Sequence, residues 1–331
     1  MTLHAPSASI AHPSRPGAEE PVVSATGLAR RFGGVVAVAG IDVALHRGQL
    51  TALAGPDGAG KSTTIRMLAG LLRPDVGEVR VMGERLRPAS THARALIGYM
   101  PQQHALYGDL SVAENLRFFA DLFGLDRATR MERTERLLSV TRLLPFQDRR
   151  ADALSGGMYK KLAMACALLH QPAVLLLDEP SNGVDPVSRR ELWLLLHEFV
   201  DSGMAVLVST PYMDEAERCH QAIVLDRGRV LVQGSPTALA RALPEMVFTL
   251  ALQASGRTTR DRWEQSLQEQ PGVVRVSPHG GGLRIIVSAS DAPRLTAWVR
   301  ERARTSPAEL EPARAGFEDV YLSAVQSERP R

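Results

Sequence analysis

The run Gly55-Pro56-Asp57-Gly58-Ala59-Gly60-Lys61-Ser62-Thr63 carries the residue types that can hold a chain of phosphates. Its glycines let successive backbone N–H groups curl around the anion, and a helix starting at its end adds partial positive charge. In such a loop Lys61 reaches the β- and γ-phosphates, and the Ser62 hydroxyl ligates Mg²⁺. The setting agrees. An apolar, strand-like run at 50–54 enters the loop, and an amphipathic segment at 65–72 leaves it. These residues imply a site for a nucleoside triphosphate.

A second constellation narrows the chemistry. Val174-Leu175-Leu176-Leu177 runs into Asp178-Glu179-Pro180. An unbroken aliphatic run closed by proline predicts a strand buried on both faces of a parallel sheet. Carboxylates at its C-terminal end stand where open α/β sheets place their ligands. Asp178 suits Mg²⁺, directly or through water, and Glu179 can polarise a water that attacks the γ-phosphate. Upstream, Leu154-Ser155-Gly156-Gly157-Met158 precedes a helix-like stretch at 159–170. Ser155 and the two glycines form a second anion-binding helix start with no lysine of its own. Taken alone, they are also ordinary helix-start material.

In this order the three motifs resemble the ATP-binding subunit of an ABC transporter, over about 22–243. The resemblance implies an α/β P-loop NTPase fold: a mainly parallel sheet, an antiparallel β subdomain and a helical subdomain at about 104–153. It implies ATP and Mg²⁺ as cofactors, with Ser62, Gln102 and Asp178 around the metal. It places Gly55 through Thr63 on the phosphates and makes Lys61, Gln102 and Glu179 the catalytic set. Ser155, Gly156 and Gly157 would complete the site of a second ATP-binding subunit in trans, in a homo- or heterodimer. Gln102, in Tyr99-Met100-Pro101-Gln102, resembles the glutamine that links γ-phosphate and Mg²⁺ to the membrane partner. Phe32 resembles the aromatic on which the family stacks adenine, and a core-facing Phe on a short edge strand is its other reading. Asp185, before Pro186, resembles the aspartate of the loop that crosses to the second subunit. It is also a fitting helix N-cap, and the two roles are compatible.

One expected residue is missing. After the strand-like run at 205–210 the family carries a histidine that contacts the γ-phosphate; here the position is Pro211. Proline has neither a side-chain donor nor a backbone N–H. His220 lies beyond the helix that 212–217 predicts and reads as an ordinary residue. Asp57 stands where the family usually has Asn. Both suit a turn, and a carboxylate near phosphate weakens binding slightly.

Composition agrees with such a protein. The chain has 331 residues, 44% hydrophobic, with 39 Lys and Arg against 36 Asp and Glu, a net charge of +3. That length predicts about two domains. Arg127, Arg130, Arg133 and Arg136 alternate with Glu132 and Glu135, a solvated helix face rather than a nucleic-acid track. Aromatic residues are too sparse for a base-stacking platform. Cys166 and Cys219 lack metal or redox spacing, which fits a reducing cytosol. No run approaches the ~18 apolar residues of a membrane span. The segment 1–21 is rich in Pro, Ala and Ser, has no apolar signal core, and predicts disorder.

The region 244–331 reads as a small C-terminal α+β domain: a strand at 247–252, a helix at 263–268, a hairpin around Gly280-Gly281-Gly282 and a helix at 292–303. Gly316-Phe317-Glu318-Asp319-Val320-Tyr321-Leu322 resembles the close of ATPase subunits of daunorubicin-resistance type exporters. A stabilising cap and a regulatory element are both open for this region.

The resemblance thus implies an exporter's ATPase subunit on the cytoplasmic side of the cell membrane, held there by separate permease subunits. Two alternatives stand beside it. One is a weakly hydrolytic subunit that completes a partner's active site, for which Pro211 argues. The other is a soluble ABC ATPase acting on ribosomes or DNA. Such proteins usually carry two nucleotide domains or a long coiled-coil insertion, and this chain has one phosphate loop. The transported substrate is not encoded here, because its contacts belong to the membrane partner.

Overall fold

The computed structural model describes residues 20–103, 105–253 and 257–328. The expected disorder of 1–21 falls, for residues 1–19, outside the described residues, as does residue 104, the first of the expected helical segment.

Strands β1 (Val23–Phe32) and β2 (Val35–Leu45) pair antiparallel around Gly33 and Gly34. Strand β3 (Leu50–Ala54) then feeds the phosphate loop and helix α1 (Lys61–Leu68). The expected helical segment was 65–72, and the helix in fact sits four residues earlier. Gly60, at φ 104°, makes the left-handed turn that starts it at Lys61, and Gly70, at φ 68°, ends it. Strands β4 (Val76–Val81) and β5 (Glu84–Arg85) form a hairpin, with Met82 and Gly83 both at positive φ in the turn. These strands make an antiparallel sheet in the order β2-β1-β4-β5.

Helix α2 (Thr91–Ala95) and strand β6 (Ile97–Met100) follow. Then come α3 (Val112–Leu122), opened by a reciprocal Ser111–Glu114 cap, and α4 (Arg127–Val140), capped by Asp126. The fold continues with α5 (Gly156–Leu168), β7 (Val174–Asp178), α6 (Pro186–Asp201) and β8 (Ala205–Thr210). It closes with α7 (Met213–Glu217), β9 (Gln221–Asp226), β10 (Arg229–Gly234) and α8 (Pro236–Arg241).

The central sheet runs β10-β9-β3-β8-β7-β6, parallel from β6 to β9, with β10 antiparallel at one edge. Every residue of β3, β7 and β8 is buried, so both faces of the sheet must be covered. Leu175, Leu177, Val206 and Val208 pack with Leu162 of α5 and Leu196 of α6. Their neighbours Leu176 and Leu207 point the other way, onto Ile65 and Leu68 of α1 and Leu28 of β1. Parallel pairing of β3 and β7 with β8 places the C-terminal ends of the three strands side by side, where the phosphate loop and the two carboxylates lie.

After Leu243 come β11 (Glu245–Leu252), α9 (Arg257–Gln268), β12 (Val273–His279), β13 (Gly282–Ser288) and α10 (Ala292–Arg302). Strand β14 (Ala308–Ala313) and helix α11 (Phe317–Glu328) follow. The antiparallel sheet β12-β13-β11-β14 has its own core around Trp263, Leu267 and Ile285. Strand β14 escaped sequence reading because it is an edge strand carrying Glu309, Glu311 and Pro312. Helix α11 turns back. Fully buried Phe317, with Val320, joins the large core beside Ala216 and Cys219. Asp319 of the same helix takes two hydrogen bonds from Arg284 of β13, at 2.8 and 2.6 Å.

Candidate functional site

The loop between β3 and α1 needs its glycines for room as well as for conformation. A Cβ at Gly55 would strike the carbonyl oxygen of Leu225, and one at Gly60 that of Ala37. Lys61, 4% exposed, folds back over the loop and donates to the carbonyls of Gly55 (2.9 Å) and Pro56 (3.1 Å). Its ammonium lies 3.5 Å from Oε1 of Glu179 and 3.9 Å from the exposed Asp57 carboxylate. The lysine is thus held at the loop by weak carbonyl partners that a phosphate can replace with a charge-assisted bond.

Asp178, at the end of β7, is fully buried. Its Oδ1 accepts from Ser62 Oγ (3.0 Å) and from Ser209 Oγ (2.7 Å), while Oδ2 has no hydrogen-bond partner. An orphaned carboxylate oxygen beside a hydroxyl is a hard-oxygen donor set of the kind Mg²⁺ takes together with substrate phosphates. Among the described residues there is no cluster of three or more His, Cys, Asp or Glu that could hold a metal alone. The set fits Mg²⁺ that arrives with a nucleotide.

Glu179 sits in the left-handed region at φ 49°, a costly conformation for a residue with a Cβ. Its N–H donates to Ser209 Oγ at 2.9 Å. Its Oε2 accepts from Gln102 Nε2 (2.7 Å) and Asn182 Nδ2 (3.1 Å). Gln102 is anchored in turn, its carbonyl taking a 2.8 Å bond from Lys160 of α5. Burial pushes the Lys160 ammonium below its ordinary value, and Asp178 and Glu179 pull it partly back.

A cleft of about 610 Å³ opens over these groups. Phe32, Asp57, Gly58, Gly60, Lys61, Ser62, Thr63, Gln102, Glu179, Asn182, Pro211 and Tyr212 are among its lining. Phe32 is 48% exposed at the end of β1, with the Arg30 guanidinium 5.0 Å from its ring centre, so the core-facing reading does not hold. Asp178 lies behind the cleft wall, reached through Ser62. Ser155, Gly156 and Gly157 do not line the cleft. Ser155 caps α5 by accepting from the Met158 N–H, and the Ser188 side chain occupies the space where a Cβ of Gly157 would stand. Asp185 caps α6, accepting from the N–H groups of Val187 and Ser188 at 3.0 Å each. His220 takes the Leu50 N–H on Nδ1 (3.1 Å) and lies outside the cleft, an ordinary residue that holds the start of β3.

Sequence reading passed over Ser209, Asn182, Lys160, Tyr212 and Glu215. Ser209 was discoverable as a hydroxyl near the end of an aliphatic strand, two residues before the expected histidine position. Glu215, 1% exposed, accepts from Thr210 Oγ1 (2.6 Å) and Ser181 Oγ (2.9 Å) and lies 3.9 Å from Arg189. It ties the end of β8 to the loop after β7. In sequence it is one acid among several on α7, with nothing to mark it as buried.

Residues 38–182 match the family described as ABC transporter. The Nod factor export ATP-binding protein I of Ralstonia nicotianae is 41% identical over 229 residues, 69% of this chain and 71% of that protein. The chain is an ATP-binding member of the ABC transporter family. The probable multidrug ABC transporter ATP-binding protein YbhF of Escherichia coli is 43% identical over 275 residues, 82% of this ABC chain. The chain spans only 47% of the length of that relative. Among solved structures, one described as the ATP binding subunit of an ABC transporter superposes with a TM-score of 0.61 at 31% identity, covering 66% of this chain and 92% of the other. The cbiO1 protein of Clostridium perfringens gives 0.62 at 28% identity, covering 68% and 92%. The fold expected from the sequence is therefore the fold of this ABC protein.

Proposed function

We propose that the chain is the ATP-hydrolysing subunit of an ABC exporter, acting on the cytoplasmic side of a membrane through separate permease subunits. The observation that carries the reading is the convergence of Lys61, Ser62 and Glu179 on one cleft, with Glu179 held 3.5 Å from Lys61 and Asp178 directly behind Ser62 at 3.0 Å. Phe32 would stack the adenine, residues 55–63 would wrap the phosphates, and Ser62, Gln102 and Asp178 would hold Mg²⁺. The metal, when bound, offsets negative charge on the phosphates. Glu179 accepts a proton from the attacking water as its oxygen bonds to the γ-phosphorus and the bond to the β–γ bridging oxygen breaks. Gln102 and Asn182 aim the carboxylate, and Ser155, Gly156 and Gly157, outside this cleft, would serve a second subunit's nucleotide. Residues 22–243 would carry these roles, with 244–331 accessory to them.

The names of the relatives, multidrug and Nod factor export, support export and a membrane partner. Among the described residues no helix is long and apolar enough to cross a membrane, so the pathway would be supplied by other subunits. A second reading, a slow ATPase that completes a partner's site, is favoured by Pro211, which offers the cleft no donor.

Purified protein tests both. Lys61→Ala is expected to weaken ATP binding about tenfold or more, from the lost charge-assisted contacts. Glu179→Gln is expected to keep ATP affinity and lower turnover about 10²-fold or more. Undiminished turnover in Glu179→Gln would overturn the assignment of the base. Wild-type turnover that rises only with a complete partner subunit would favour the second reading.

A further inference from the structure

The end of β8 leaves a gap in the cleft's chemistry. Pro211 lines the wall beside Glu179 and has no proton to give. The next residue, Tyr212, lines the same wall and is 42% exposed. Its backbone N–H is already donated to Thr210 Oγ1 at 3.1 Å. Its phenol hydroxyl has no hydrogen-bond partner among the described residues. The donor that this strand end brings to the cleft is therefore the phenol.

The ring is supported from behind. The Arg189 guanidinium lies 5.4 Å from its centre, and the same arginine lies 3.9 Å from Glu215. Glu215 in turn accepts from Thr210, which fixes the Tyr212 backbone, and from Ser181, two residues after Glu179. Arginine, glutamate and both hydroxyls thus hold the tyrosine and the loop of the base to one buried point. An aromatic hydroxyl placed this way can follow the γ-phosphate as its charge develops.

Building on the ATPase reading, we propose that the Tyr212 hydroxyl is a catalytic hydrogen-bond donor to the γ-phosphate, supplying the contact that Pro211 cannot. Tyr212→Phe keeps the ring on Arg189 and removes only the donor. It is expected to lower kcat about 10²-fold while KM and ATP affinity stay within about twofold of wild type. A second readout follows the transition-state shape: orthovanadate should trap ADP on the wild type and fail to retain it on Tyr212→Phe. Wild-type kcat and vanadate retention in Tyr212→Phe would overturn the proposal. A raised KM with kcat unchanged would overturn it too, because the residue would then serve ground-state binding. Glu179→Gln in the same assay separates the layers. If it loses turnover while Tyr212→Phe does not, the ATPase reading stands and the tyrosine proposal falls. If it hydrolyses like wild type, both fall.

Discussion

Ser209→Ala removes one oxygen that serves two neighbours at once. That hydroxyl, fully buried, donates to Asp178 at 2.7 Å and accepts the Glu179 N–H at 2.9 Å. Losing the bond to the Asp178 carboxylate costs about 1.5–3 kcal/mol, and a buried N–H left without an acceptor costs about 1–3 kcal/mol. The two losses share one atom and do not add fully, so about 3 kcal/mol of stability is expected to go. For a domain of this size that lowers the melting temperature by roughly 6–12 °C. The functional effect follows from geometry. Glu179 is held at φ 49°, and its N–H bond to Ser209 is one of the contacts that keep it there. Freed from it, the carboxylate loses its aim, and turnover should fall about tenfold or more. Differential scanning calorimetry and a phosphate-release assay on the same preparation measure both effects. A variant that melts within roughly 2 °C of wild type and hydrolyses ATP at the wild-type rate would refute the reasoning.

His170 predicts a pH dependence. Its Nε2 donates to the Ile97 carbonyl at 3.0 Å, its Nδ1 has no partner, and its ring stacks on Phe123. Burial lowers its pKa below the ordinary 6.5, against the raising effect of the Ile97 bond and with Arg133 adding to the fall. A depressed histidine favours the neutral form, so its stabilisation is complete above 6.5 and is lost as pH drops below that value. Melting curves should therefore slide downward below that point, and His170→Gln should flatten that component; an unaltered slope would refute it. Arg284→Ala leaves the buried Asp319 carboxylate unpaired, at a cost of about 3–5 kcal/mol. Hydrogen exchange should then quicken in α11 and in α7, against which it packs, while β3 stays protected. Unchanged exchange in α11 would show that Arg284 does not hold it.

The middle of the central sheet was legible because β3, β7 and β8 are buried throughout and read as mainly apolar runs, β7 and β8 ending in polar residues and β3 in the glycine loop. The glycine and lysine spacing marked the loop, yet not where the helix began, because a left-handed glycine shifts a helix start without altering its apolar spacing. The residues that steady the site were harder to see. Lys160, Asn182 and Glu215 matter through partners 58, 3 and 34 positions away, respectively, and nothing in their own surroundings sets them apart. Phe32 shows the opposite case: the sequence left two orientations open, and exposure decided between them. Helix α11 was missed as part of the large core because its apolar residues resemble those of any amphipathic end. Only the turn of chain at Gly316 sends them back.

That return has a consequence for synthesis. Phe317 bonds through its N–H to Glu217, 100 positions earlier, and seals apolar side chains next to α7. While a ribosome is still making the intervening residues, that patch faces water. At ~5–20 residues per second the exposure lasts roughly 5–20 s. The patch beside α7 is thus sealed only once the chain has reached Phe317, and a nascent chain stalled before Phe317 would offer chaperones and proteases an apolar surface that the finished protein hides.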